Sequence, residues 1–346
     1  MDWDRLFRFC EEQTVLGVGY KELEKLVYKG MSIPKLLKFT WYAAYEQIAA
    51  RNRELNTKAV EVCREYEREG FRCCLLKGQG NAAMYPDPLS RAPGDVDIFV
   101  IERSNDRKAI TEYVRKRHEV ADIRYHHIEY ESDGILVEIH FTPCIMNNPL
   151  YNRRLQRWIY NDFKTTQINI GDSQYPITVP TIETNIVYQL AHMMHHFFDE
   201  GLGLRQVMDY YYVLRSLTPI PAETPSHSLS REGEGNIYLN ALRDTLKRLN
   251  LEKFAGAVMW VEHEVFGLEE QYFIVPADKW RGRTLLDEIL KGGNFGQHSG
   301  LTQHGTVAKY FLKIKRNMQF VCQYPAEALC EPFFRTWHFF WRISQQ

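Results

Sequence analysis

No C-x-x-C pair occurs in this 346-residue chain, and its seven cysteines (Cys10, Cys63, Cys73, Cys74, Cys144, Cys322 and Cys330) are odd in number. That excludes a conventional disulfide framework or a zinc ribbon and fits free thiols in a reducing compartment. No stretch approaches the roughly 18 uninterrupted apolar residues of a membrane span. The opening MDWDRLFRFCEEQ lacks the basic stretch and apolar run of a secretory signal, so the expected location is the cytoplasm. Charge of neither sign is in excess: Lys plus Arg number 43 and Asp plus Glu 44, a formal net charge of −1. A protein that coats nucleic acid usually carries a basic surplus, which leaves at most a local basic patch here. The P-loop and Rossmann glycine spacings are both absent, as is any His-Asp dipeptide.

Apolar residues make up 45% and charged residues 25%, the balance of an ordinary globular protein. The length suits two domains, or one with helical additions. Residues 1–69 read as a helical segment, with a run from Pro34 to Arg68 free of internal Gly and Pro and stopped at Gly70. Residues 70–180 read as the α/β part. Strands are expected at Cys73–Leu76, Asp95–Ile101, Tyr125–Tyr130 and Ile135–Phe141, the last two joined at Ser132-Asp133-Gly134. A crossover helix is expected at Arg107–Arg117, and a hairpin at Gln167–Ile170 and Tyr175–Val179 around Gly171-Asp172. Residues 181–346 return to helical period, starting near Thr181. The stretch 217–235, dense in Pro, Ser, Glu and Gly, reads as an exposed loop. The expected class is α+β: a small mixed sheet flanked by an N-terminal helical segment and a C-terminal helical domain.

The segment LLKGQGNAAMYPDPLSRAPGDVDIFV, residues 75–100, is the most informative. Alternation in a strand puts Asp95 and Asp97 on one face about 7 Å apart, with Val96, Ile98 and Val100 on the other. Two acids on one face of an apolar strand are costly unless solvated or bound to a cation. Two Mg²⁺ ions roughly 3.5–4 Å apart require bridging carboxylates of this kind. In Ile135-Leu136-Val137-Glu138-Ile139-His140, Glu138 and His140 share a face. If this strand neighbours the first, Glu138 completes a three-carboxylate cluster, as metal ligand, general base or both. D-x-D and V-E-I-H are each common on solvated strand faces, so neither is specific alone. Upstream, Lys77-Gly78-Gln79-Gly80 is a glycine-punctuated turn between strand and helix, where backbone can approach a phosphate. Lys77 and Arg91 offer positive charge to a triphosphate.

The order LLKG, YPDPLSRAPGDVDIFV, VEIH, AHMMHH and LRQVMD resembles an uncharacterised nucleotidyltransferase family of bacterial gene clusters, within the DNA-polymerase-β-like superfamily. The resemblance covers roughly residues 70–215. It implies that Asp95, Asp97 and Glu138 hold two Mg²⁺ ions, with Mn²⁺ as an alternative, and that Lys77, Gly78 and Arg91 bind nucleotide. The superfamily's Gly-Ser turn is absent, so phosphate binding would rest on backbone amides, Lys77 and Arg91. The spacing from Gly78 to Asp95 is also longer than in the smallest members.

In HMMHHFFDEGLGLRQVMD, residues 192–209, His192 and His196 share a helix face, with His195 and Asp199 close by, and Arg205 and Asp209 are four apart. The spacing can bind zinc, although helical His pairs more often pack. The resemblance implies that this segment lines the cleft, so that His140, His192, His196, Arg205 and Asp209 are candidate cleft residues. The aromatic stretch Phe320–Trp341, broken by Pro325 and Pro332, reads as a packed helix or dimer contact rather than a membrane-surface helix.

Three functions remain open on the sequence. The first is transfer of a nucleoside monophosphate from an NTP to an acceptor hydroxyl with release of pyrophosphate. The second is a non-catalytic nucleotide- or partner-binding module on the same fold, and the third a His/Asp metal-dependent phosphohydrolase. Near-neutral charge favours a small-molecule acceptor over tRNA or protein. The identity of the NTP, of the acceptor and the oligomeric state are not written in the residues.

Overall fold

A computed structural model describes residues 2–101, 107–217, 231–297 and 306–345. Residues 218–230 of the expected exposed loop lie outside the described residues, and its last residues, 231–235, are helical rather than loop. The chain forms two compact units. One comprises Met1–Pro143, Lys164–Thr181 and Ser344–Gln346, and the other Cys144–Phe163 and Ile182–Ile343.

The first unit opens with helices α1 (Trp3–Glu12), α2 (Leu16–Tyr28) and α3 (Lys35–Arg68). The 34 residues of α3 carry a buried stripe, Asn52, Leu55, Ala59, Val62, Cys63 and Tyr66, at the three- and four-residue spacing of one helix face. Strand β1 (Cys73–Leu75), the short helix α4 (Gly78–Ala82), β2 (Val96–Val100), helix α5 (Arg107–Arg117) and strands β3 (Val120–Ile123), β4 (His127–Ser132) and β5 (Ile135–His140) follow. Helix α6 (Pro149–Asp162) belongs to the second unit. The hairpin β6 (Thr165–Ile168) and β7 (Ile177–Pro180) then returns to the first.

The five-stranded sheet has the order β1-β2-β5-β4-β3. Only β2 and β5 run parallel; the other neighbours are antiparallel. Its apolar face, Val96, Ile98, Val100, Ile128, Tyr130, Val137 and Ile139, packs on the α3 stripe and on Ile110, Tyr113 and Val114 of α5. The fold is α+β, as the alternation of periods indicated. Strand β3 and helix α6 are additions to the sequence reading. VADI is too short and too polar to carry a period. Helix α6 did have a local signal: Asn148 caps it by accepting from Leu150 N and Tyr151 N, and Pro149 stands in its first turn.

Helix α2 presses on the loop that precedes β2. A Cβ built on Gly17 would lie 2.2 Å from the Ser90 carbonyl oxygen, so only glycine lets the two backbones meet. Gly17→Ala should lower stability by about 1–3 kcal/mol, the usual cost of overpacking against backbone. A denaturant titration that leaves the midpoint unchanged would refute this contact.

The second unit contains α6, α7 (Ile182–Asp199), α8 (Leu204–Arg215), α9 (Arg231–Arg248), α10 (Glu252–Phe266), α11 (Lys279–Gly292), α12 (Thr306–Met318) and α13 (Pro325–Ile343). Its core is aromatic, with Phe197 and Phe320 ring centroids 4.7 Å apart and Phe198, Phe254 and Tyr324 around them. Two carboxylates of this unit, one half-buried and one fully buried, have opposite fates. Asp199 meets Arg335 at 2.8 Å and Lys313 at 3.4 Å. Glu262 on α10 is fully buried (0% exposed), and neither of its carboxylate oxygens has a hydrogen-bond partner. Pro332 sits within α13 rather than ending it, and Phe333, Phe339 and Phe340 of that helix are exposed. None of the described helices is long and apolar enough to cross a membrane.

Candidate active site

The site grows from the polar face of the sheet. Alternation sends Val96, Ile98, Val137, Ile139, Ile128 and Tyr130 into the core, so Asp97, Glu138, His140, His127 and Glu129 point the other way. Register then aligns them. Asp97 pairs with Glu138 across the parallel β2–β5 ladder, and Glu138 pairs with Glu129 across β5–β4. His140 is opposite His127 in the next rung. Three carboxylates thus lie in one row across three strands, with two imidazoles beside them.

Like charges directly opposite each other destabilise a sheet unless something compensates. Here cations and imidazoles interleave with the acids. Lys77 Nζ lies 2.9 Å from Asp97 Oδ1, and His140 Nε2 lies 3.0 Å from that oxygen and 3.2 Å from Glu138 Oε2. His127 Nε2 is 2.7 Å from Glu129 Oε1, which Arg124 Nε approaches to 3.2 Å.

The protonation states follow from burial and these partners. Burial alone would raise Asp97, but the Lys77 ammonium and His140 outweigh it and hold the carboxyl well below the usual carboxylate range. Lys77 is the mirror case: burial lowers it, and the charges of Asp97, Asp95 and Glu138 hold it above its ordinary value. Glu138 is pushed up to about 7 by burial, opposed by its bond to His140 and reinforced by the Asp97 and Asp95 charges. Burial disfavours the charged form of His140, yet its bonds to Asp97 and Glu138 raise it to about 9. His127 is held neutral by burial and by the neighbouring His140 and Arg124.

The turn bearing Lys77 is strained. Lys77 has φ 33° and Gly78 φ 45°, both in the left-handed region. A lysine there costs on the order of 1 kcal/mol, which its ion pair with Asp97 offsets. Side-chain amides of α3 position the two loops around the site. Gln79 Nε2 donates to Asn56 Oδ1 at 2.8 Å, and Asn52 Nδ2 donates to the carbonyls of Leu89 and Arg91 at 2.9 and 2.7 Å.

Of the sequence candidates, Asp97, Glu138, His140 and Lys77 are thus brought together. Asp95 immediately precedes β2 rather than lying in it, and its charge acts on Lys77 and Glu138. Gly78 starts α4, where a Cβ would lie 3.6 Å from the Asp95 carbonyl. Arg91 is buried (4% exposed), and its guanidinium donates to the Ala92 carbonyl at 3.1 Å. His192, His196, Arg205 and Asp209 belong to the helical unit. There His192 and His196 meet edge to face, 4.3 Å between centroids, and His196 Nδ1 is 3.6 Å from Glu200. Among the described residues, the groupings able to hold a metal all fall on the sheet. They are Asp97, Glu138 and His140; His127, Glu129 and Glu138; and His126, His127 and His140.

The residues that sequence reasoning missed are His126, His127, Glu129 and Asn52. The pattern His127-x-Glu129 mirrors Glu138-x-His140 on the partner strand. That mirror was the available signal once the two strands were taken as a hairpin.

The carboxylates suit a hard divalent cation. Asp97 Oδ2 is buried with no hydrogen-bond partner, an oxygen of an ionised group that a cation would satisfy. A mixed sheet with in-register acids, under a long helix, is the frame of a nucleotidyltransferase-like fold. The chain belongs to the uncharacterised nucleotidyltransferase family, whose sequence profile matches residues 1–224. The crystal structure of an antigenic nucleotidyltransferase-like protein from Paracoccidioides brasiliensis is similar, with 16% identity over 57% of this chain and 93% of that one and a TM-score of 0.34. None of the curated proteins matches the chain.

Proposed function

We propose that the protein transfers a nucleoside monophosphate from an NTP to an acceptor hydroxyl and releases pyrophosphate. The observation that carries this reading is the in-register pair Asp97–Glu138, with one Asp97 oxygen buried and unpartnered. Asp95, Asp97 and Glu138 would hold Mg²⁺, with Mn²⁺ as a substitute. The bound ions would polarise the α-phosphate and neutralise the leaving pyrophosphate. Glu138, which faces Asp97 in the row of acids, would hold an ion, take the proton of the acceptor hydroxyl, or do both. Lys77 keeps a positive charge beside the acids, where it balances them and meets incoming phosphate oxygens. The amides of Gly78 and Gln79 at the start of α4 would stand in for the absent Gly-Ser contact, and Arg91 would supply further positive charge from its loop. A small-molecule acceptor and a cytoplasmic setting belong to the same reading, because a net charge of −1 gives no general attraction to nucleic acid.

Thermal stabilisation by ATP, GTP, CTP and UTP, with and without Mg²⁺, tests it beside an Asp95→Asn/Asp97→Asn double variant. One NTP at 100 times its Kd should stabilise the wild type by about 2.7 kcal/mol, only with metal, and not the variant. Stabilisation that is independent of metal and unaffected in the variant would favour a second reading: a non-catalytic nucleotide- or partner-binding module. The ion pair of Lys77 with Asp97, together with the missing Gly-Ser, is what recommends that second reading.

A further inference from the structure

The row of carboxylates accounts for Asp97 and Glu138, but not for the imidazoles next to them. His126, His127 and His140 each offer a ring nitrogen within 4.8 Å of the others. Their ring centroids are 4.3 Å (His126–His127), 5.0 Å (His127–His140) and 5.8 Å (His126–His140) apart. His127 and His140 are only 3% and 1% exposed, so water does not freely solvate these nitrogens.

His127 is held in a way that leaves one nitrogen bare. Its Nε2 faces Glu129 Oε1 at 2.7 Å, and Arg124 in turn faces that same oxygen at 3.2 Å. If Nε2 carries the proton for that bond, Nδ1 presents a lone pair. Nδ1 makes no hydrogen bond, although Glu138 Oε2 lies 3.3 Å away. A lone pair facing a carboxylate oxygen across that gap, in a buried place, is unfavourable unless a proton or a metal ion lies between them. The Nδ1 of His140 is also buried and without a hydrogen bond, and a bound ion would take the place of the proton on that nitrogen. A carboxylate that fixes one ring nitrogen while the other is left for a metal is the usual support of a metal-bound histidine.

Imidazole nitrogens are not what Mg²⁺ selects. It prefers an all-oxygen shell, whereas imidazole suits zinc, iron(II), nickel and cobalt(II). We propose that His126, His127 and His140, with Glu138 at their edge and Glu129 orienting His127, form a binding site for one divalent transition-metal ion. This site is separate in ligand chemistry from the Asp95–Asp97 site for Mg²⁺. It goes beyond nucleotidyl transfer and requires neither nucleotide nor turnover. Glu138 is the one residue common to both sites, so an ion on the imidazoles would sit against the acid that the transfer reading uses as base.

The test uses the full-length protein stripped with chelator, loaded with Co²⁺ without nucleotide and passed over a desalting column. The wild type should retain about one Co²⁺ per chain, with a ligand-field spectrum and nitrogen coordination visible by X-ray absorption. His127→Ala should lose that ion. Glu129→Gln, which keeps His127 and a hydrogen-bond acceptor for it but removes the supporting negative charge, should weaken Co²⁺ binding by about 10–100-fold. Asp95→Asn lies outside the proposed set and should retain the ion. If His127→Ala does not fold, Glu129→Gln and His126→Ala carry the test. A wild type that retains no Co²⁺ would overturn the proposal, and so would an ion with oxygen ligands only or unchanged retention in Glu129→Gln. None of these outcomes depends on NTP stabilisation, so the transfer reading can fail while this one stands, and the reverse.

Discussion

Asp97→Asn should reduce nucleotidyl transfer by about 10³-fold or more, which corresponds to losing roughly 4 kcal/mol of metal-borne stabilisation at the transferred phosphate. Asparagine is nearly the same shape. Its remaining oxygen can still accept from Lys77 and His140, which lie 2.9 and 3.0 Å from Asp97 Oδ1. What disappears is the charge and the unpartnered Oδ2, so the variant isolates the ion-holding role from the structural one. Its melting temperature should fall by a few degrees at most, because Asp95 and Glu138 still act on Lys77. Deleting the side chain with alanine is a poorer probe, since a buried cation left unpaired costs about 3–5 kcal/mol and confuses folding with function. The check is steady-state pyrophosphate release with the stabilised NTP and a panel of small hydroxyl acceptors. Activity equal to wild type in Asp97→Asn would remove the basis for the assignment.

Glu262→Met should make the protein more stable, and increasingly so as pH rises. Burial pushes the Glu262 carboxyl well above its ordinary value of 4.5, and no hydrogen bond offsets that. The folded form therefore holds a proton that the unfolded chain releases once pH passes 4.5. Stability linked to this group is complete below pH 4.5 and is lost above it, at up to about 1.4 kcal/mol per pH unit, until the folded-state value is reached. Methionine has a similar length and no charge to desolvate. Even at pH 5 it should gain about 1–3 kcal/mol, the cost of burying a polar group without a partner. The neighbouring Tyr210 hydroxyl is also buried without a hydrogen bond, so methionine leaves that defect in place. Urea denaturation of both proteins at pH 5 and pH 8 reads the difference. A gap that does not widen with pH would mean that Glu262 finds a partner the structure does not contain.

Much of the candidate site was legible before the structure. The alternation that turns Asp97 away from the core, the later strand with Glu138 and His140, and the turn at Lys77-Gly78 follow from local periodicity and glycine placement, whereas Asp95 falls just before β2 and not on its face. What local patterns could not supply was register. Whether Glu138 faces Asp97 depends on a parallel pairing between strands separated by a helix and two further strands. The role of His127 and Glu129 depends on the rung that β4 shares with β5. Nor could sequence show that Lys77 turns its ammonium onto Asp97, because this needs a lysine at φ 33°, a conformation its residue type disfavours. The buried amide of Asn52 and the half-buried one of Asn56 were hidden for a related reason: polar residues inside a long helical pattern read as solvent-facing until their partners are known.

Helix α6 has a consequence for how the protein is made. It lies between β5 and β6 in the chain, yet it belongs to the helical unit. The sheet is complete once residue 140 has left the ribosome, and its hairpin by residue 180, so that unit has most of what it needs early. The start of α6 does not. The amides of Asn147 and Asn148 bond to Glu327, which for Asn148 lies 179 residues further along. At synthesis rates of about 5–20 residues per second, this stretch waits on the order of 10–35 s for its partner. During that interval Leu155, Trp158 and Ile159, all buried in the finished protein, have to be shielded by something other than their final neighbours. A slower ribosome or a lack of chaperones would therefore endanger this short insertion before it endangered the sheet that carries the chemistry.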